Sequence, residues 1–200
     1  WIRMDIFERM LLDNKAWAGE MTELSPGYFK RLSKVQTPKV LWLGCSDSRV
    51  PAEIVVNAEP GEMFVHRNIA NQINPSDDNV LSVLEYALKV LKVDHLVVCG
   101  HYGCGGILAA MMPPDPDLSN VNLWLEGVRD TYQAHAQEIS DNDPQGHRLV
   151  ELNVLTQIQR LSTLPLIQNT WKTGRRPILH GCVYGLEDGL IKVINRVDPS

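Results

Sequence analysis

The chain has 200 residues, a formal net charge of −5 and an apolar fraction of 44%, which suits one domain with a core of its own and excludes global disorder. The mild acidity and the lack of a basic tract exclude nucleic acid as a main partner. No apolar run approaches the roughly 20 residues that a membrane-spanning helix needs. The opening Trp1-Ile-Arg-Met-Asp-Ile, with Lys15 close behind, lacks the pattern of a secretory signal, so a cytoplasmic location is expected.

In chain order, Ile6, Met10, Leu11, Ala16, Trp17 and Met21 recur at helical spacing, so 4–34 is expected to be helical, with a break at Ser25-Pro26-Gly27. A buried strand is expected at 39–44, and a short one at 62–66 after the turn Pro60-Gly61. Residues 77–92 are the clearest helix. Asp77 or Asp78 can cap it, and Val80, Val83, Leu84, Ala87, Leu88 and Leu91 give it one apolar face. A third strand is expected at 95–100. The acidic, proline-containing stretch 113–118 reads as a surface loop. Two long helices, about 119–140 and 147–163, are separated by Asp141-Asn142-Asp143-Pro144, and a fourth strand spans 178–184. The tail 186–197 is either helix or edge strand. Strands alternating with helices imply one α/β domain, with a mostly parallel central sheet flanked by helices. It would comprise an N-terminal helical arm, 1–34, and a core, 38–200. Sites in such sheets form beyond the carboxyl ends of strands, where the two polar turns 45–49 and 101–106 fall.

Four cysteines are present. Cys99 and Cys182 lie inside apolar runs and are expected to be buried. His101-Tyr102-Gly103-Cys104 puts an imidazole and a thiol three residues apart in a turn where glycines allow both side chains to converge. If the strand ending at Cys45 is a neighbour, Cys45, His101 and Cys104 form a donor set that suits zinc better than magnesium or calcium. Three protein donors leave a fourth position open, the mark of a catalytic site. Asp47 and Arg49 follow Cys45 at alternate positions and can share a side of the turn. An arginine that grips the carboxylate keeps it ionised, so Asp47 could orient an attacking water or swing onto the metal and block it.

Cys45-Ser46-Asp47-Ser48-Arg49 followed by His101-Tyr102-Gly103-Cys104-Gly105-Gly106 resembles the β-carbonic anhydrase signature. The likeness continues through 61–68 and 180–185 and covers about residues 1–195. It implies one zinc ion per chain on Cys45, His101 and Cys104, and a catalytic dyad of Asp47 and Arg49. The reaction implied is reversible hydration of carbon dioxide to bicarbonate by attack of zinc-bound hydroxide. Phe64, Val65 and Tyr86 resemble family residues that line a narrow pocket, some of them donated across a dimer interface. Trp42, Arg67 and Tyr184 match a trio that, in one subset, binds bicarbonate away from the metal and favours an inactive form. In that form Asp47 would be the fourth metal ligand, and Val50–Glu53 would be the segment that shifts. The apolar arm suggests a homodimer or tetramer. Hydrolysis of carbonyl sulfide or carbon disulfide could use the same metal site. A non-catalytic zinc-stabilised module is the alternative from another class, and the Asp47–Arg49 pair argues against it.

Overall fold

The computed structural model describes residues 4–139, 143 and 145–199. They fall into two compact units that divide between Thr37 and Pro38. In the first, α1 (Ile6–Leu24) starts at a capping box. The Asp5 carboxylate accepts from the Phe7 amide at 3.1 Å, and Glu8 accepts from the Asp5 amide, an arrangement worth about 1 kcal/mol. The break falls where expected: Gly27 takes φ 79 and α2 (Tyr28–Leu32) follows. Trp17 meets Phe29 edge-on at 5.6 Å, and no residue of α1 is buried.

The second unit is built on β1 (Val40–Cys45), β2 (Met63–Asn68), β3 (His95–His101), β4 (Ile178–Tyr184) and β5 (Ile191–Val197). Their order is β2-β1-β3-β4-β5. The first four run parallel, and β5 pairs antiparallel with β4. The tail is therefore an edge strand. β1 lies between β2 and β3, so the chain changes direction across the sheet at β1. The carboxyl ends of β1 and β3 flank that switch point, where α/β sheets hold their ligands.

Side-chain alternation gives the sheet two faces. Leu41, Leu43 and Cys45 of β1 join the main core with Leu96, Val98, Leu179 and Val183. Trp42 joins a smaller cluster with Ala52, Cys99 and Cys182 on the other face. Helix α8 (His147–Thr163) lies on the main face. It packs so close that a Cβ on Gly100 would sit 2.8 Å from Val154, and one on Gly181 3.1 Å from it. Those strand glycines are explained by helix approach rather than by turn geometry.

Two expectations are corrected. The helix at 77–92 is capped by Asp77, whose carboxylate accepts from the Asn79 amide. It runs as α4 (Asp78–Glu85) and then widens into a π-turn, Tyr86–Leu91. The expected helix at 119–140 is two pieces, α6 (Ser119–Trp124) and α7 (Glu126–Ala134). They part at Leu125, which is fully buried. Beside it, Trp124 Nε1 donates to the Ile69 carbonyl at 2.8 Å, and a Cβ on Gly127 would sit 2.9 Å from Arg160 Nη2. Except for Asp143, the expected separator 141–144 lies outside the described residues. Helices α3 (Ala52–Val55), α5 (Gly105–Met111) and α9 (Pro165–Thr173) were not anticipated. Glycines at the start of α5, and the proline at the start of α9, hid them.

Candidate metal centre

The switch point brings together three of the expected residues. Cys45 closes β1, His101 closes β3, and Cys104 immediately precedes α5. One donor atom from each lies within 4.8 Å of the others, and all three residues are buried. The turn between His101 and Cys104 needs its glycine at 103, which takes φ 67.

The electrostatics favour a cation. The two sulfurs are 3.9 Å apart. A hydrogen bond from Cys104 is the largest effect on Cys45, and despite burial its thiol is pulled down to about 4. His101 and the backbone at Asp47 and Ala70 add to this. Cys104 is pushed up, first by its bond with Cys45 and then by burial, although the backbone at Ile107 and Gly106 offsets part. The hydrogen bond between the sulfurs thus favours a thiolate at Cys45 over one at Cys104. His101 Nδ1 donates to the Tyr102 carbonyl at 3.1 Å, which fixes the ring. Its Nε2 is buried with no hydrogen-bond partner. Two thiols and an orphaned imidazole nitrogen converging in this way fit a zinc-type ion.

Asp47 and Arg49 meet as expected. Arg49 Nε donates to Oδ1 at 3.0 Å and Nη2 to Oδ2 at 2.7 Å, while the Arg49 amide also reaches Oδ1 at 2.9 Å. These bonds, the guanidinium ones foremost, hold the Asp47 carboxyl far below its ordinary range. Asp47 Oδ2 lies 3.6 Å from His101 Nε2, so the carboxylate borders the space between the three donors. Arg49 Nη2 also donates to the Gly103 carbonyl at 3.2 Å and ties the two turns together.

Trp42, Arg67 and Tyr184 lie on the face of the smaller cluster. Trp42 and Tyr184 pack there, and Arg67 is the register partner of Gly44, over which the Trp42 indole lies. The Arg67 guanidinium is engaged through two of its nitrogens. Its Nε donates to the Cys45 carbonyl at 2.8 Å and its Nη2 to the Asp47 carbonyl at 2.5 Å. Of the expected pocket residues, Phe64 and Tyr86 stack at 5.8 Å. Val65 turns to the opposite face, beside Trp42, so within one chain these three do not form a single wall. Sequence reasoning missed the backbone donors around the sulfurs, because amides carry no residue signature.

An α/β sheet with two thiols and an imidazole at its switch point is the architecture of a metal-dependent enzyme. The family model described as carbonic anhydrase matches residues 40–191. A carbonic anhydrase of Emericella nidulans is 42% identical over 191 residues, spanning 94% of this chain and 83% of that protein. One of Pseudomonas aeruginosa is 40% identical over 177 residues, spanning 84% and 78%. Among solved structures, a tetrameric β-carbonic anhydrase of Sordaria macrospora superposes with a TM-score of 0.90 at 36% identity, covering 96% of this chain and 98% of that one. The Coccomyxa β-carbonic anhydrase in complex with acetazolamide gives 0.91 at 33% identity, covering 97% and 89%. The chain therefore belongs to the carbonic anhydrase family, in its β class.

Proposed function

We propose that Cys45, His101 and Cys104 hold one zinc ion per chain, and that the site catalyses reversible hydration of carbon dioxide to bicarbonate and a proton. The observation that carries this is the buried His101 Nε2, left without a hydrogen-bond partner and converging with two sulfurs 3.9 Å apart. Zinc held by such donors lowers the pKa of bound water from 15.7 toward about 7 and so supplies a nucleophile at neutral pH. The chain's own residues do the rest. The Tyr102 carbonyl holds the imidazole so that Nε2 faces the two sulfurs. Asp47, kept ionised by Arg49, can accept a hydrogen bond from a water entering that space and so aim it. Buried Cys45 and Cys104 keep the floor of the site away from bulk solvent. Carbon dioxide hydration measured with and without a strong zinc chelator tests this reading. Activity should vanish with the metal and return on adding zinc, and activity that survives full zinc removal would refute it. Parallel assays with carbonyl sulfide and carbon disulfide separate the hydratase from a hydrolase on the same site.

Bicarbonate inhibits from a second site made by Trp42, Arg67 and Tyr184. Support comes from the two bonds by which Arg67 braces the turn carrying Asp47. An anion that draws Arg67 away frees this turn and the adjoining Val50–Glu53. Asp47 can then leave Arg49 for the three-donor space and occupy the position of the nucleophile. Bicarbonate needs differential affinity for that arrangement to favour it, and a coupling of about 1–3 kcal/mol suffices.

The assembly is a homodimer or a dimer of dimers. The arm leaves Ile6, Phe7, Met10, Leu11 and Leu12 at least half exposed, an apolar surface that suits a second copy, and the similar Sordaria protein is tetrameric. The location is cytoplasmic, in keeping with four free cysteines. Among the described residues no helix is long and apolar enough to cross a membrane.

A further inference from the structure

We propose that Glu151 of α8 is a positioning residue for the metal centre: through the Tyr102 hydroxyl it holds the turn whose carbonyl aims the His101 imidazole. The inference rests on the reading of His101 as a metal ligand. Every step of the link is a hydrogen bond. His101 Nδ1 and the Tyr102 carbonyl are 3.1 Å apart. A carbonyl can only accept, so the proton sits on Nδ1 and the lone pair stays on Nε2. The Tyr102 hydroxyl donates to Glu151 Oε1 at 2.8 Å. Glu151 is in turn fixed from two elements. Lys192 Nζ of β5 donates to Oε1 at 3.1 Å, and Arg148 Nη1 of α8 donates to Oε2 at 3.0 Å.

The turn needs a hold of this kind. Regular strand pairing ends at it, with the Tyr102 amide donating to the Tyr184 carbonyl at 3.0 Å. Gly103 then takes φ 67 and offers no side chain to anchor. Tyr102 therefore carries the one side chain between the candidate ligands His101 and Cys104. That side chain is gripped twice by α8, at positions one turn apart. Glu151 takes the hydroxyl, and His147 stacks on the ring with centroids 4.6 Å apart. The same helix is seated on β3, where Val150 and Val154 fill the space over Gly100. Strand end and ligand turn are thus referred to one helix. A stitch between α8 and β5 needs only Arg148, Glu151 and Lys192; the bond to Tyr102 extends it to the ligand turn.

The test measures zinc affinity by competition with a chromophoric chelator, and follows the His101 Nδ1 proton by proton–nitrogen NMR of the zinc-loaded full chain. Tyr102→Phe keeps the ring and loses only the hydroxyl. It should lower zinc affinity about 10-fold and speed exchange of the Nδ1 proton with water. Glu151→Leu should do the same. The double variant should be no weaker than either single one, because both remove one bond. Glu151→Gln keeps an acceptor for the hydroxyl and should bind zinc like the wild type, although its charged pairs are lost. This rescue separates positioning from stability, since a loosened fold would weaken zinc binding in Glu151→Gln as well. If Glu151→Leu does not fold, Tyr102→Phe and Glu151→Gln carry the comparison. Unchanged affinity and exchange in Tyr102→Phe, additive losses in the double variant, or a Glu151→Gln that binds as weakly as Tyr102→Phe would each overturn the proposal. A wild type that binds no zinc refutes the metal-site reading and this inference with it.

Discussion

The second unit holds two pairs of buried cysteines, and in only one of them is a thiol drawn down. Cys45 and Cys104 sit at the open ends of a strand and a helix, where backbone amides are not consumed by the sheet. There Cys45 is drawn down by the partner thiol, His101 and backbone donors. Cys99 and Cys182 are register partners in the middle of β3 and β4, where the ladder uses the amides. Burial pushes both of these thiols up, Cys182 to about 11. Proximity and burial are common to the pairs; the donors around the sulfur differ. Position along a strand, more than residue type, separates the candidate metal ligands from the core fillers.

The contrast can be broken most severely at Cys104. Cys104→Ala should lose nearly all zinc and all hydratase activity, as read by metal analysis and by carbon dioxide hydration. Full zinc occupancy in this variant would remove the distinction between the pairs. Next in size is Arg67, which lies on the face of the dry pair yet bonds to the carbonyls of Cys45 and Asp47. Arg67→Ala should remove most of the response to bicarbonate, a several-fold effect consistent with a coupling of about 1–3 kcal/mol, and should also lower the uninhibited rate, because the brace on the Asp47 turn goes with the guanidinium. Identical bicarbonate responses in both proteins would show that the two faces do not communicate.

A smaller effect concerns Glu151, beside the ligand turn. Burial alone would raise its pKa, but hydrogen bonds from Tyr102, Lys192 and Arg148 together hold it below the usual carboxylate range. A carboxylate with a lowered folded-state pKa contributes stability above its unfolded pKa and loses it as pH falls through the folded value. Glu151→Gln should therefore cost about 1–2 kcal/mol at neutral pH. The difference from wild type should shrink toward zero in acid, below about pH 4, in urea unfolding at several pH values. The smallest effect is expected at the dry pair. Cys182→Ala should leave metal content and rate unchanged and cost about 1 kcal/mol of stability.

Much of this centre was legible in the sequence because ligation uses rare residue types at strand ends. Cys45, His101 and Cys104 stood out against glycine-rich turns, and Asp47 with Arg49 followed by spacing. The parallel order of strands was legible from their alternation with helices. The break at Leu125 was not, since it depends on Trp124 and Arg160 meeting distant segments. Nor was the separation of Phe64 from Val65 used, although strand alternation required it. The helix at 147–163 was legible, but its close approach to Gly100, where Val154 occupies the space above the strand, was not. The buried amides of Asn153 and Gln157 left only a faint trace: they interrupt an otherwise apolar helical face.

The most direct test of the central claim is X-ray absorption at the zinc edge of the purified protein. The account predicts one zinc per chain with two sulfur neighbours at about 2.3 Å, one imidazole nitrogen at about 2.0–2.1 Å and a light atom in the fourth position. A shell of four sulfurs, a shell of oxygens alone, or no stoichiometric zinc would contradict it.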